Sequence, residues 1–209
     1  REEAIKAIEV GIDTVAELKE KGYNVFATGE MGIGNTTTSS AVCSVLLDQS
    51  VEKVTGKGAG LTNKDLEHKI EVIKQSIALN QVDANDPIDV LSKVGGLDIA
   101  GMVGCYIGGA ALQVPVFIDG FISSVAALIA IRLIPECAPY LFPSHCSNEP
   151  AGHLILDAIG KEPYILANMC LGEGTGAVMG FTIADYAFKA YWELPSFEQT
   201  NFGTYEELN

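Results

Sequence analysis

The chain of 209 residues is 48% hydrophobic and 19% charged, so it can bury a sizeable core, and an intrinsically disordered protein is excluded. Its formal net charge of −14 excludes nucleic acid and anionic membrane surfaces as partners, because binding them requires clustered Lys and Arg. Residues 1–21 form a charged amphipathic pattern without the layout of a secretory signal, so we expect a cytoplasmic protein.

Helical periodicity dominates the first half of the chain. Helical spacing of apolar residues, or runs of small residues, predict four helices over residues 4–18, 37–47, 62–79 and 87–93. Gly22 stands where the first of these helices should end, because glycine readily adopts the left-handed conformation that closes a helix. Between the first two helices, residues 23–28 (YNVFAT) predict a short buried strand.

The second half repeats the order helix, strand, helix. Helices are predicted over residues 97–112, 121–133 and 175–192, and strands over residues 114–118 and 140–143. The longest apolar stretch, residues 114–134, contains Asp119 and Arg132, so we expect no membrane span there. We predict one α/β domain over residues 1–193, with a mostly parallel sheet covered by helices, and a tail over residues 194–209.

A glycine-rich segment, residues 29–38 (GEMGIGNTTT), lies between a predicted strand and a predicted helix. Glycines at this position let backbone N–H groups approach a phosphate that also lies at a helix N-terminus. The spacing matches neither the GxGxxG nor the GxxxxGK[ST] phosphate-binding motif. A tight turn with Asn35 or Thr36 as helix cap explains the segment equally well.

A second glycine loop, residues 56–60 (GKGAG), combines flexible backbone with the cation Lys57. A phosphate or carboxylate ligand can use both. Taken alone, however, the loop is better interpreted as a surface loop with a solvated lysine.

Asp119 follows the predicted strand of residues 114–118 directly. Its carboxylate should therefore project from the same edge of the sheet as the first glycine segment, where sugar hydroxyls are a natural partner. A cap on the helix that follows is an equally good explanation.

Residues 144–150 (SHCSNEP) collect two hydroxyls, an imidazole and a carboxylate. A nucleophilic pair of His145 and Cys146 is conceivable, but adjacent side chains usually point apart, and ligand hydrogen bonding or loop order is the better explanation. The five cysteines form an odd set without a CxxC pair, so we expect no disulfide and no metal site.

Glu173 stands between glycines in residues 171–176 (LGEGTG), ahead of the last predicted helix. With so little side-chain bulk beside it, the carboxylate is free to face a ligand, and burial against apolar neighbours such as Leu171 would suit it to act as a general base. The alternative is a glutamate that merely begins the helix, where the helix dipole favours negative charge.

Taken together, GEMGIGNTTT, GKGAGL, VPVFIDGF, SHCSNEPAGH and LGEGTGA resemble, in order, the motifs of the nicotinate-nucleotide–dimethylbenzimidazole phosphoribosyltransferase family over about residues 1–191. The resemblance implies a Rossmann-like three-layer domain and a homodimer. It also implies transfer of ribose 5-phosphate from nicotinate mononucleotide to 5,6-dimethylbenzimidazole or a related base, in cobalamin biosynthesis. The products would be nicotinate and an α-ribazole 5′-phosphate-type nucleotide. No cofactor and no metal are implied.

By the same resemblance, Glu173 is the catalytic carboxylate, and Glu30 and Leu171 lie near the acceptor base. The chemistry agrees, because nicotinate leaves from a cationic pyridinium and needs no proton, whereas the attacking imidazole nitrogen must lose one. The expected phosphate- and ribose-binding residues are Gly32, Gly34, Asn35, Lys57, Gly58, Asp119, Ser144 and Gly172.

The resemblance departs from the family in length. Family members begin well upstream of the position that matches Arg1, and that upstream part is expected to hold much of the acceptor-base pocket. Two alternatives therefore stand beside the transferase: an inactive truncated piece of the enzyme, and a non-catalytic phosphate- or nucleotide-binding module that would not need Glu173.

Overall fold

The computed structural model describes residues 1–58 and 60–200. In these ranges the elements follow in the order α1 (Glu2–Glu20), β1 (Phe26–Ala27), α2 (Asn35–Leu47), α3 (Val51–Val54), α4 (Asn63–Asn80), α5 (Pro87–Val94), α6 (Leu97–Ala111), β2 (Val116–Ile118), α7 (Phe121–Leu133), β3 (Leu141–Pro143), α8 (Gly152–Ala158) and α9 (Thr175–Glu193). Each helix and strand predicted above is present. The sequence patterns missed α3 and α8, because four and seven residues are too few to show a periodicity.

The three strands form one parallel sheet in the order β1, β2, β3. This confirms the predicted mixed α/β fold with a parallel sheet. The first strand, however, is shorter and less buried than predicted: only Phe26–Ala27 pair with β2, while Tyr23 is 59% and Val25 47% exposed. The prediction of a buried strand over residues 23–28 was therefore wrong in extent and in burial, because β1 lies at the edge of the described sheet.

The central strand β2 is covered on both faces. Val116 packs against Gly109 of α6, where a Cβ atom on the glycine would overlap the valine. On the opposite face, the Phe117 ring meets Phe181 of α9 edge-on at 4.7 Å between centroids and stacks on Phe142 at 5.6 Å. Helices α6 and α9 therefore lie on opposite sides of the sheet.

A buried tyrosine fixes the end of β1 to the helical core. The Tyr106 hydroxyl of α6 lies 2.6 Å from Thr28 Oγ1 and donates to the Ser123 carbonyl of α7 at 3.0 Å. Burial raises the pKa of Tyr106, so the phenol stays neutral. The residue that precedes the first glycine segment is thereby held in place.

The tail predicted over residues 194–209 is only partly described. Helix α9 ends at Glu193, and a short 3₁₀ turn follows over Phe197–Gln199. Residues 201–209 of the predicted tail, and Ala59 in the second glycine loop, lie outside the described residues. Across residues 1–58 and 60–200, no helix has the length and apolarity needed to cross a membrane.

Candidate active site

The carboxyl ends of all three strands meet at a cavity of about 370 Å³. Residues after β1, β2 and β3 contribute to its wall, together with the second glycine loop and the turn before α9. This is the edge of an open parallel sheet at which ligands bind.

Seven of the eleven predicted site residues line this cavity, and four do not. Those that line it are Glu30, Gly32, Gly58, Asp119, Leu171, Gly172 and Glu173. Those outside its wall are Gly34, Asn35, Lys57 and Ser144.

The turn that carries Glu173 has three successive residues in the left-handed region, with φ of 78° at Gly172, 58° at Glu173 and 77° at Gly174. Glycine adopts this conformation freely, whereas glutamate does so at a cost of roughly 1–2 kcal/mol. The Glu173 N–H donates to the Glu30 carbonyl at 2.8 Å. Gly29 packs so closely against Gly174 that a Cβ atom on Gly29 would lie 2.6 Å from the Gly174 Cα. The two glutamate-bearing segments are therefore joined through their backbones.

The carboxylates of the two glutamates are held differently. Glu30 Oε2 accepts the Gly32 N–H at 2.6 Å, which ties Glu30 to its own loop. Glu173 is exposed, and its neighbour Leu171 is 66% exposed. Glu173 is therefore free to face a ligand, as the sequence indicated, but the burial against Leu171 that would favour a general base is not found.

Asp119 is 1% exposed, and both of its carboxylate oxygens accept backbone hydrogen bonds. Oδ2 accepts from the Gly174 N–H at 3.0 Å, and Oδ1 accepts from Gly176 at 2.8 Å and Ala177 at 3.2 Å. Asp119 therefore caps a helix, as one of the two sequence interpretations held, but the helix is α9 and not α7, which follows it in the chain. Its contact with ribose stays a prediction.

The segment after β3 is packed mainly for structure. Ser144 is fully buried and donates to the Ile118 carbonyl at 2.7 Å, beside His145 Nδ1 at 3.1 Å. Burial lowers the pKa of His145, partly opposed by Asp119, and raises the pKa of the Cys146 thiol. Cys146 is thus poorly suited to act as a nucleophile, as the sequence suggested.

Among the described residues, no side chain caps the N-terminus of α2. Gly34 is the N-cap residue at φ 83°, and the Asn35 side chain instead donates to Asp98 at 2.8 Å. The interpretation of Asn35 or Thr36 as a cap was therefore wrong. Uncapped N–H groups at the start of a helix are donors suited to an anion.

Sequence reasoning missed the charged pair behind the two glycine loops. Lys69 is 7% exposed, and its ammonium donates to Thr36 Oγ1 at 2.9 Å and to the Gly56 carbonyl at 3.1 Å. Burial lowers the pKa of Lys69, and nearby Glu149 opposes this shift. Burial raises the pKa of Glu149, opposed by Lys69 and by the Gly58 N–H. A signal was present in the sequence, since Lys69 stands four residues before Ile73 on the buried face of α4.

Comparison with known proteins gives the family. A family model described as Phosphoribosyltransferase (DBI_PRT) matches residues 1–202. The chain belongs to this phosphoribosyltransferase family. The DBI_PRT match confirms the family that the five motifs indicated.

Relatives and solved structures agree with this assignment. The nicotinate-nucleotide–dimethylbenzimidazole phosphoribosyltransferase of Ruminiclostridium cellulolyticum is 54% identical over 208 residues, which are 100% of this chain and 59% of the relative. The enzyme of the same name from Acetivibrio thermocellus is 53% identical over 99% of this chain and 59% of its own length. The crystal structure of CobT from Thermus thermophilus superimposes with a TM-score of 0.90 at 30% identity, covering 97% of this chain and 60% of that one. The chain thus spans about three fifths of the length of the relatives it matches.

Proposed function

We propose that the protein transfers ribose 5-phosphate from nicotinate mononucleotide to 5,6-dimethylbenzimidazole or a related base. The observation that carries this proposal is the position of Glu173, an exposed carboxylate that lines the same cavity as Gly58 of the second glycine loop. Membership in the family supports the same reaction. A phosphate-binding module has no use for such a carboxylate.

The phosphate of nicotinate mononucleotide is proposed to bind between the two glycine loops. The uncapped N-terminus of α2 offers backbone donors, with Gly32, Gly34 and Gly58 close to it in the two loops. Lys69 supplies a buried cation, and two of its three N–H donors are used by Thr36 and Gly56. This arrangement explains how a chain of net charge −14 binds an anion locally.

The two bases are proposed to lie against the apolar side chains that line the cavity. Met31, Ile33 and Leu171 are 63%, 77% and 66% exposed and line it, which suits an aromatic ring that needs an apolar surface. Asp119 also lines the cavity. A carboxylate has about four lone-pair sites, so Asp119 can accept from a ribose hydroxyl in addition to its three backbone donors. Gly172 lines the cavity and keeps its predicted contact as part of this proposal. Asn35, Lys57 and Ser144 lie outside the cavity wall, so their predicted ligand contacts stay predictions.

In the proposed reaction, the bond between the anomeric carbon and the pyridinium nitrogen breaks, and nicotinate leaves with the bonding electrons. The unprotonated ring nitrogen of the acceptor forms the new bond to the same carbon, and the proton on the other ring nitrogen passes to the Glu173 carboxylate. Glu30 already accepts the Gly32 N–H, which leaves Glu173 as the better base of the two.

The test is a two-substrate assay with the purified full-length protein. Nicotinate mononucleotide and 5,6-dimethylbenzimidazole are incubated together, and nicotinate and the α-ribazole 5′-phosphate-type product are separated by chromatography. We expect both products in equal amounts. Binding of nicotinate mononucleotide without nicotinate release would favour the non-catalytic module.

Several broader properties belong to the same proposal. We place the domain over residues 1–193 in the Rossmann-like three-layer class, which the helices on both faces of the sheet support. A cytoplasmic homodimer is supported by the family resemblance and by exposed aromatic side chains on α9, including Tyr191 at 77% and Trp192 at 76%. Sedimentation velocity measures the oligomeric state directly.

A further inference from the structure

We infer that Asp119 is a positioning residue for Glu173, acting through the backbone at the start of α9. This inference rests on the proposed function, in which Glu173 takes the proton. Asp119 follows β2, the central and most buried strand, whereas Glu173 lies in an exposed turn 54 residues later. Asp119, which directly follows the central strand, thus determines the position of Glu173, which lies in a glycine-rich turn.

The contacts act on the peptide groups that follow Glu173. Gly174 is the next residue, and its N–H donates to Asp119 Oδ2 at 3.0 Å. Gly176 and Ala177, in the first turn of α9, donate to Oδ1 at 2.8 and 3.2 Å. Three donors converge on one buried carboxylate, and the positive end of the helix dipole lies at the same point. No Lys, Arg or His among residues 1–58 and 60–200 forms an ion pair with it.

The turn itself cannot hold Glu173 in one place. Gly172 and Gly174 are free to adopt many backbone conformations, and the left-handed conformation of Glu173, at φ 58°, is unfavourable for that residue. Two anchors on either side of its Cα atom compensate for this. The Glu173 N–H donates to the Glu30 carbonyl at 2.8 Å, and the Gly174 N–H donates to Asp119.

The backbone at the start of α9 packs closely against Asp119. A Cβ atom on Gly176 would lie 2.8 Å from Asp119 Oδ1 and would overlap the His145 ring. His145 is 2% exposed, and burial lowers its pKa, so a neutral imidazole packs beside the carboxylate. The α9 backbone is therefore pressed onto Asp119 by close packing as well as by hydrogen bonds.

The decisive experiment is a double-mutant cycle in the full-length protein. Asp119→Asn keeps the size but replaces one acceptor oxygen with an NH₂ group, which cannot accept from the α9 backbone. If Asp119 acts by placing Glu173, kcat falls on the order of 10²-fold, as expected for a misplacement of about 1 Å. The KM for nicotinate mononucleotide should change only a few-fold. In the Glu173→Gln background, Asp119→Asn should lower kcat by less than about 3-fold further, because residues that act as a unit are not additive.

Two results would overturn the inference. Fully additive losses would show that Asp119 acts independently of Glu173, and a raised KM with unchanged kcat would assign Asp119 to ligand binding alone. The matched control is Asp86→Asn, since Asp86 caps α5 by accepting from Ile88 and Asp89 away from the cavity. It should leave kcat unchanged.

A second measurement does not depend on turnover. Amide hydrogen exchange at Gly174, Gly176 and Ala177 should be faster in Asp119→Asn than in wild type, and unchanged exchange would contradict the inference even if no transferase activity were found. Absence of activity in the wild-type protein with slow exchange at these amides would instead refute the proposed function and leave the anchor intact.

If Asp119→Asn does not fold, Asp119→Glu is the second variant. It keeps the charge and both acceptor oxygens but lengthens the side chain. It should fold and still lose kcat, and wild-type kcat would overturn the inference.

Discussion

The two ends of the cavity are built on different principles. At the phosphate end, which we define as Thr36, Gly56, Gly58, Lys69 and Glu149, the buried Lys69 ammonium donates to Thr36 and Gly56, and the half-buried Glu149 lies nearby. At the base end, defined as Glu30, Leu171 and Glu173, the side chains are more exposed, and the order comes from the backbone.

The difference follows from the cost of burying charge. A buried ammonium such as that of Lys69 must find partners, which fixes it in one place before any ligand binds. Among residues 1–58 and 60–200, the hydrogen bonds that hold Glu173 come from the backbone of its turn, at Glu173 and Gly174. The phosphate end is therefore held by side-chain contacts, whereas the Glu173 turn is held by main-chain contacts.

The largest expected effect is at the base end, with Glu173→Gln. Glutamine keeps the size but cannot take the proton, so turnover should fall by about 10²–10⁴-fold, or ~3–5 kcal/mol of transition-state stabilisation, with little change in affinity for nicotinate mononucleotide. Steady-state kinetics with both substrates saturating measures this effect. Glu30→Gln is the matched control and should lose less. Turnover near wild type in Glu173→Gln would leave Glu173 only a role at the start of α9, worth about 1 kcal/mol of stability or less.

At the phosphate end, Lys69→Met should weaken binding of nicotinate mononucleotide. Loss of a hydrogen bond to a charged group corresponds to about 1.5–3 kcal/mol, or roughly 10–100-fold in Kd. Isothermal titration calorimetry measures this, with the solvent-exposed Lys57 as comparison. Lys57→Met should change Kd by only a few-fold, because solvent screens exposed charges. A larger increase in Kd for Lys57→Met than for Lys69→Met would indicate that the phosphate binds at the surface of the second glycine loop.

Two glycine-to-alanine variants test whether the phosphate end and the base end act independently. A Cβ atom on Gly29 would lie 2.6 Å from the Gly174 Cα, and one on Gly56 would lie 2.8 Å from Pro150 Cδ and overlap the Glu149 carboxylate. Such overpacking costs about 1–3 kcal/mol. Gly29→Ala should lower kcat by displacing the Glu173 turn, and Gly56→Ala should raise Kd for nicotinate mononucleotide. The same pattern of kinetic and binding changes in both variants would show that the two ends are not independent.

The smallest effect concerns pH and Glu149. Burial raises the pKa of Glu149 in the folded state, so the folded protein binds a proton more readily than the unfolded chain does. The stabilisation is complete below the ordinary glutamate pKa and is lost as pH rises through the raised value. Urea denaturation across this acidic range measures the free energy of unfolding. In Glu149→Gln, the part of its decrease with rising pH that comes from Glu149 should be absent. The difference should be below about 1 kcal/mol, because the carboxylate is only half-buried.

Local patterns were sufficient for most of the secondary structure. The predicted helix over residues 121–133 matches α7, and the helix predicted over residues 62–79 is observed as Asn63–Asn80 with Thr62 as a side-chain cap. The alternation of helices and short apolar strands was enough to predict a parallel sheet. These features depend on residues within a few positions of one another, and periodicity records such contacts directly.

The five motifs also predicted residues that the fold brings together at one edge of the sheet. Seven of the predicted residues line one cavity, since the glycines and polar residues that follow parallel strands necessarily meet there. What these residues do in the site depended less on their type than on their neighbours.

Contacts between distant segments decided the rest. Asp119 was expected to face ribose or cap α7, but its oxygens accept from Gly174, Gly176 and Ala177, more than 50 residues away. Lys69 turned inward because α4 packs against α2 and brings its ammonium to Thr36. Burial of Glu173 against Leu171 would have favoured a general base, but both residues are exposed. The packing of the helices on the sheet decides which donor lies close to a buried charge. The distance between two such groups cannot be read from the order of residue types along the chain.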